Sequence, residues 1–347
     1  MSGAQLQVDV LRDADRGRWD RFVDAEPAAT FFHRAGWARV MSEGLGHRPY
    51  FLHATVGTET VGVLPLVHVK SALFGNALIS NAFCVYGGPV ARDEVVLGAL
   101  DRRACELADA LKVDYVEYRS MQSRHADWSC KDDLYVTFRG PIDPDPDVNM
   151  KAIPRKQRAM VRKGLKNGLT HTVDRNVDTF FRLYATSVRN LGTPVFPKRL
   201  FTKLVAVFDD CCDVLTVRGP DGTPVSAVLS FYFRDQVLPY YGGGTVQARA
   251  LAANDYMYWA LMDEARQRGL KLFDFGRSKR DTGAFAFKKN WGFEPEPLYY
   301  EYHLVKAREV PEINPLNPKY RLLVATWKRL PLPVANALGP LIARNLG

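Results

Sequence analysis

The sequence predicts an α/β (α+β) protein made of two consecutive copies of one unit of mixed strands and helices. Three observations predict it. The same order of elements, a strand pair, a glycine pair, a helix and a further strand, recurs in each half of the chain. The last strand of each copy ends alike, as Val116-Glu117-Tyr118-Arg119-Ser120 and as Leu272-Phe273-Asp274-Phe275-Gly276-Arg277-Ser278. A length of 347 residues with 47% apolar side chains suits two cores of ordinary size.

In the first copy, Phe51 to Val56 reads as a strand, Gly57-Thr58 as a turn and Val61 to Val69 as the returning strand. Tyr86-Gly87-Gly88 follows, then a helix from Leu97 to Leu111 and a strand from Tyr115 to Ser120. Gly140 to Asp147 alternates prolines, which cannot donate ladder bonds, with solvated aspartates, and reads as a linker. The expected domains are therefore 1–145 and 146–308, with a tail at 309–347. Lys151 to Gly168 holds basic residues and no acidic one; helical spacing puts Arg155, Arg158, Arg162 and Lys166 on one face, with Gly164 and Gly168 as end signals. In the second copy, Val214 to Val217 is a strand, Pro220-Asp221-Gly222 a turn and Val225 to Phe233 the return. Tyr241-Gly242-Gly243, a helix from Asp255 to Arg268, the strand Leu272 to Ser278 and a short helix from Gly283 to Asn290 complete it. After Asn314-Pro315-Leu316-Asn317-Pro318, the tail mixes apolar residues from Leu322 to Leu346 with Lys319, Arg321, Lys328, Arg329 and Arg344. It reads either as a helix packed on the body or as a basic amphipathic segment on anionic lipid at the inner membrane surface.

The balance of 47 basic against 38 acidic residues, a formal +9, favours an anionic partner and is also compatible with plain solubility. Five cysteines without a CxxC pair read as reduced thiols in a cytoplasm. No basic n-region with an apolar core opens the chain, and no apolar run nears the roughly 18 residues of a membrane span, so a soluble or surface-associated protein is expected. The seven histidines lack metal-ligand spacing and carboxylate neighbours, so no metal is expected. No GxSxG elbow, P-loop or GxGxxG fingerprint is present, which argues against serine hydrolases, nucleotide kinases and dinucleotide oxidoreductases.

Open sheets place ligands at strand ends, so attention falls on Asp274, Arg277 and the helix behind them. Alternation sets Asp274 opposite Phe273 and Phe275, either as a solvated edge carboxylate or as a site residue in a cleft. Arg277 offers a fork for carboxylate or phosphate and could equally pair with Asp274. Lys288 and Lys289 are either solvated or turned toward a developing negative charge. Tyr241 to Gly244 lets a ligand approach the backbone, whereas Ala248 to Asn254, where a nucleotide-type cofactor would rest its pyrophosphate on helix amides, contains no glycine.

These features resemble the FemAB-type transferases of the tandem GNAT-like superfamily, in particular the branch associated with exosortase (PEP-CTERM) and exopolysaccharide gene systems. The likeness rests on Thr30-Phe31-Phe32-His33 with Gly36-Trp37, Gly62 to Leu66, Tyr86-Gly87-Gly88 and the basic stretch Arg155 to Lys166. It continues through Leu191-Gly192-Thr193-Pro194, Asn254-Asp255 with Tyr258-Trp259, Phe273 to Ser278, and Phe287-Lys288-Lys289 with Trp291-Gly292, covering roughly residues 5 to 345. The resemblance implies two GNAT-like domains with the active site mainly in the second, and a bacterial enzyme that transfers an aminoacyl or acyl group to an amine of a peptidoglycan or exopolysaccharide precursor. It implies no tightly bound cofactor and no DNA partner: the donor is aminoacyl-tRNA or acyl-CoA, and the acceptor an anionic small-molecule or lipid-linked precursor. The glycine-free stretch departs from the usual CoA loop. On this likeness Lys288 is the residue that contacts the donor or transition state, and Arg155, Arg158 and Arg162 meet phosphates; with the strand-end reading, Asp274, Arg277 and Lys288 are the catalytic candidates, and Arg155, Arg158, Arg162, Lys163, Tyr241, Asn254 and Lys289 the substrate-binding ones. The rival expectations are an acyl-CoA-dependent N-acyltransferase and a non-catalytic binder of an anionic envelope precursor.

Overall fold

Near-continuous buried runs and a left-handed Gly57 (φ 60°) build the long hairpin at the heart of the first unit of this computed structural model, which describes residues 5–71, 75–310 and 324–345. In chain order the elements run β1 (Leu6–Val10), α1 (Arg16–Ala25), α2 (Gly36–Arg39), β2 (Arg48–Val56), β3 (Glu59–Ser71), β4 (Gly75–Ser80), β5 (Val90–Ala91), α3 (Glu94–Leu111), β6 (Tyr115–Ser120) and β7 (Ser129–Lys131). The chain continues with β8 (Tyr135–Pro141), α4 (Pro146–Ala152), α5 (Arg155–Lys166), β9 (Thr170–Asp174), α6 (Val177–Leu191), α7 (Lys198–Phe208), β10 (Cys212–Arg218), β11 (Pro224–Phe233) and β12 (Gln236–Gly244). It closes with α8 (Val246–Leu251), α9 (Ala253–Gln267), β13 (Leu272–Asp274), β14 (Ser278–Lys279), α10 (Gly283–Asn290), β15 (Pro295–Pro297), β16 (Tyr299–Leu304) and α11 (Leu332–Ala343).

Two eight-stranded mixed sheets result. The first is ordered β1-β2-β3-β4-β6-β16-β7, with β5 beside β3; the second is β14-β8-β13-β12-β11-β10-β9, with β15 beside β8. In each, a parallel pair, β4 with β6 and β12 with β13, sits within antiparallel neighbours. The first core gathers Leu52, Leu64, Leu78, Leu100 and Val116. The second gathers Phe138, Val228, Leu261, Phe273 and Trp291, and α9 turns Tyr256, Met257, Ala260, Leu261 and Ala265 into it at helical spacing.

The expected boundary at 145/146 is displaced, and the chain changes sheet twice. Among the described residues, one unit holds 5–71, 75–134, 297–310 and 344–345, the other Tyr135–Glu296 and 324–343. The reason is hydrogen bonding: β8 pairs Arg139 with Asp274 and Gly140 with Phe273 in the second sheet, while β16 pairs Tyr302 with Glu117 in the first. Gly140 and Pro141, read as linker, end this strand, and Pro146 opens α4. Gly140 is needed there, because a Cβ would lie 2.7 Å from the Phe293 ring. Gly164, read as a helix end, is instead buried inside α5, where a Cβ would meet Tyr256 at 2.8 Å; Gly168 (φ 68°) provides the stop. The tail residues 311–323, 346 and 347 lie outside the described residues, while α11 packs on α6. Among the described residues no helix is long and apolar enough to cross a membrane.

Candidate functional site

The parallel pair in the second sheet is short. β12 pairs with β13 only at Gln236–Leu272 and Val237–Phe273, so its Leu238–Gly244 stretch runs on with that edge unpaired by β13. Opposite this edge the chain leaves β13 at Asp274 and turns through Phe275, Gly276 (φ 66°) and Arg277 into β14. Tyr258 of α9 bridges the two sides: its hydroxyl lies 3.3 Å from the Cβ position of Gly242, and its ring packs on Phe275 at 4.9 Å and Phe287 at 5.5 Å. Burial pushes that hydroxyl up to about 12. Across α6, Gly243 lets the helix backbone approach, since a Cβ would fall 2.9 Å from Tyr184 Cα.

Asp274 is only 2% exposed, so it is neither an edge carboxylate nor in contact with solvent. It accepts from Gly276 N–H at 2.7 Å and from the Thr137 hydroxyl at 3.2 Å, and it thereby ties β13, β8 and the loop together. Burial raises its pKa against the opposing pull of the Gly276 amide, Arg139, Lys288 and Thr137. Lys288 reaches back from α10 and donates to the carbonyls of Gly276 (2.9 Å) and Arg277 (3.0 Å), with the rings of Phe138 and Phe275 at 5.7 and 6.0 Å. Those rings and the loop strip water from the ammonium. Desolvation lowers its pKa to about 7, the Arg277 charge pushes the same way, and Asp274 opposes both. An ammonium has three donors, so two are spent on the loop and one remains. Arg277 lays its guanidinium over the Tyr135 ring at 4.8 Å.

The other sequence candidates are scattered. Tyr241 is 9% exposed and packs with Tyr184, Phe196 and Phe201 in the aromatic layer under α6 and α7, a core position. Arg158 is spent on the carbonyls of Ile153 (3.1 Å) and Lys151 (2.8 Å), closing the end of α4. Arg155, Arg162 and Lys163 are exposed on α5, and Lys289 is exposed on α10. Asn254 is exposed in the first turn of α9, its Oδ1 3.0 Å from the Cβ position of Gly244. The glycine-free stretch before it is helical rather than open: α8 occupies 246–251, and a single left-handed residue, Ala252 (φ 58°), links it to α9. Two histidines do have acidic company in space, His125 between Asp101 and Glu301 and His171 beside Glu264.

Sequence reading missed Thr137, and it singled out Tyr258 and Asp255 as parts of a motif without a place in the site. Asp255 is buried and accepts from Gln157, while the Trp291 indole N–H faces it without completing a hydrogen bond; burial raises its pKa. The signal for Thr137 was the alternation Tyr135-Val136-Thr137-Phe138-Arg139 ahead of the proline-rich stretch.

The equivalent strand end in the first unit is closed. Arg119 Nε donates to Glu117 Oε1 at 2.7 Å and Arg119 Nη1 to the Cys84 carbonyl at 3.0 Å, with side chains 3% and 7% exposed and Tyr300 covering the guanidinium at 5.3 Å.

Comparison with known proteins agrees with this architecture. Residues 151–289 match the family model described as "Acetyltransferase (GNAT) domain". A lipid II:glycine glycyltransferase of Staphylococcus haemolyticus is 30% identical over 91 residues, 24% of this chain and 22% of that protein. That of Staphylococcus aureus is 29% identical over 87 residues, 23% and 21% respectively. The chain thus spans about a fifth of the length of the curated relatives it matches. The crystal structure of FemX superposes with a TM-score of 0.70 at 18% identity, over 92% of this chain and all of that one. A tandem GNAT protein from the clavulanic acid biosynthesis pathway gives 0.54 at 14% identity, over 86% and 98%. The chain accordingly has the tandem GNAT fold, and residues 151–289 within it match the GNAT domain family itself.

Proposed function

We propose that this chain is an acyltransferase that moves an aminoacyl or acyl group onto an amine of a cell-envelope precursor, of peptidoglycan or exopolysaccharide type. The observation that carries the reading is Lys288, a desolvated amine with a pKa near 7 and one unspent position, set where β12 and β13 part. The acceptor nitrogen attacks the donor's carbonyl carbon; a C–N bond forms, the bond to the tRNA oxygen or the CoA sulfur breaks, and one proton passes from nitrogen to the leaving group. Lys288 suits that passage. As a neutral amine it spends both N–H groups on Gly276 and Arg277 and keeps its lone pair for the incoming proton; as an ammonium it offers the third N–H to the oxyanion or leaving group. Asp274 and Thr137 are positioning residues that hold the loop, and Arg277 keeps the local potential positive.

Aminoacyl-tRNA is the favoured donor, supported by the segmental likeness to lipid II:glycine glycyltransferases and by the exposed cations Arg155, Arg162 and Lys163. In this reading the acceptor is anionic and lipid- or nucleotide-linked, and the enzyme works in the cytoplasm at the inner face of the membrane, in an exosortase-type or exopolysaccharide system. An acyl-CoA donor is the second reading, favoured by the acetyltransferase domain match. Turnover assays with charged tRNAs and with acyl-CoAs, against amine-bearing envelope precursors, decide between them. Product formation that disappears in Lys288→Met supports transfer; tight precursor binding with no product from either donor class overturns it in favour of a binding protein.

A further inference from the structure

α11 packs through small residues and leaves one apolar face outward. Its small residues, Ala335, Gly339 and Ala343, are buried, and at Gly339 the approach to the body is so close that a Cβ would lie 2.8 Å from Val195 N. Three of its large apolar residues face away, Val334 at 41% exposed, Leu338 at 44% and Leu341 at 63%, while Leu332 and Ile342 are half-buried. These three are spaced four and three residues apart, one face of a helix. A helix docked only for stability would turn its leucines inward, where each is worth most. Leu191, 68% exposed at the end of α6, adds to the patch. Its neighbours fix it beside the segment before α11: Arg189 Nη1 donates to the Lys328 carbonyl at 3.2 Å, and Gly192 packs on Val324 and Lys328.

The charged side chains described just ahead of α11 are basic: Lys328 and Arg329 are both exposed, and no acidic residue lies between Val324 and Ala343. Between Thr179 and Phe208 the chain carries five basic residues, Arg182, Arg189, Lys198, Arg199 and Lys203, and no acidic one. The carboxylates that flank this stretch are engaged, Asp178 by Lys198 and Asp209 by Arg175.

We infer that this face, α11 with Leu191 and the cations beside it, is a contact surface for an anionic lipid bilayer, holding the protein on the membrane peripherally. Apolar residues reach the acyl boundary while the lysines and arginines meet the headgroup phosphates. A second copy of the chain fits less well, because a two-fold contact through this patch would set Lys328 and Arg329 against their own copies. A nucleic acid would use the cations and leave the leucines idle. The inference stands apart from acyl transfer, since vesicle binding is read without turnover.

Flotation of the full chain with phosphatidylcholine vesicles and with vesicles containing equal parts phosphatidylglycerol tests it. The protein is expected to float with the anionic vesicles and at least tenfold less with the neutral ones. Leu338→Ser/Leu341→Ser, two exposed positions that leave the core untouched, should weaken anionic-vesicle binding by at least tenfold with an unchanged melting temperature, and Lys328→Glu/Arg329→Glu should do the same. Three results overturn it: no flotation with either vesicle, binding lost only in the charge variant while the leucine variant is unchanged, which marks a polyanion surface, or a concentration-dependent dimer that the leucine variant dissolves.

Discussion

The two units end equivalent strands with an acid, and they use it in opposite ways. In the first, β6 is paired on both sides, to β4 through Ala77–Ile79 and to β16 along its whole length, and Glu117 is consumed by Arg119 two residues on. In the second, β13 parts from β12 after two residue pairs, the acid is held by amide and hydroxyl donors, and the cation comes from a separate helix. An ion pair that satisfies itself is a finished structure. A lysine that spends two of three donors on backbone, in a place that discourages its charge, retains capacity for a ligand.

The largest expected effect probes the closed end. Arg119→Met strands a buried carboxylate and should cost about 3–5 kcal/mol in urea unfolding, most of which returns in Glu117→Gln/Arg119→Met; a small loss in the single variant would break the comparison. At the open end, Lys288→Met should move stability by under about 1 kcal/mol yet lower kcat by roughly 100-fold, about 2.7 kcal/mol of barrier. Lys288→Arg sharpens it: a guanidinium stays charged and cannot take a proton, so a loss as deep as that of Met identifies proton transfer, and partial activity identifies charge alone. With the wild type, kcat/KM should rise as pH increases through about 7, where Lys288 becomes neutral, and the Arg variant should lack that inflection.

A smaller effect belongs to the first unit. Burial disfavours the His125 cation, but Asp101 and Glu301 on either side hold its pKa up to about 9, above the ordinary 6.5. The folded state therefore binds this proton more tightly, so its contribution of roughly 2 kcal/mol is full below 6.5 and lost as pH rises through about 9. Unfolding free energy measured from pH 6 to 10 should fall in wild type and flatten in His125→Asn. The smallest effect is Thr137→Val, about 1 kcal/mol from one hydrogen bond to Asp274, with a displaced pH–rate inflection as the loop under Lys288 loosens.

Much of this fold was legible because strand alternation and helical spacing are local. The hairpins at Gly57 and Gly222, the helix ending at Leu111 and the helix Gly283–Asn290 all lie where the sequence places them. That the helix of Lys288 sits behind the strand end was legible for the same reason, one helix set after one strand. What escaped was pairing at a distance: nothing near Arg139 announces a partner at Asp274, and nothing near Tyr302 announces Glu117. Thr137 escaped with them, as did the contacts of Tyr258, since a strand threonine and a helix tyrosine gain meaning only from what lies opposite. Arg158 and Tyr241 misled, because a cation among cations and a tyrosine beside glycines look like ligand groups until their backbone and aromatic neighbours are seen.

The sheet exchange of β8 and β16 also sets a timetable for synthesis. A ribosome that has made residues 5–131 has delivered every strand of the first sheet except the one that lies between β6 and β7, and that strand emerges only after the second sheet's own strands have been made. Until then β6 has an unpaired edge, with Arg119 and Glu117 not yet covered by Tyr300. A gene split at residue 145 would deliver two fragments, each carrying a strand the other sheet requires.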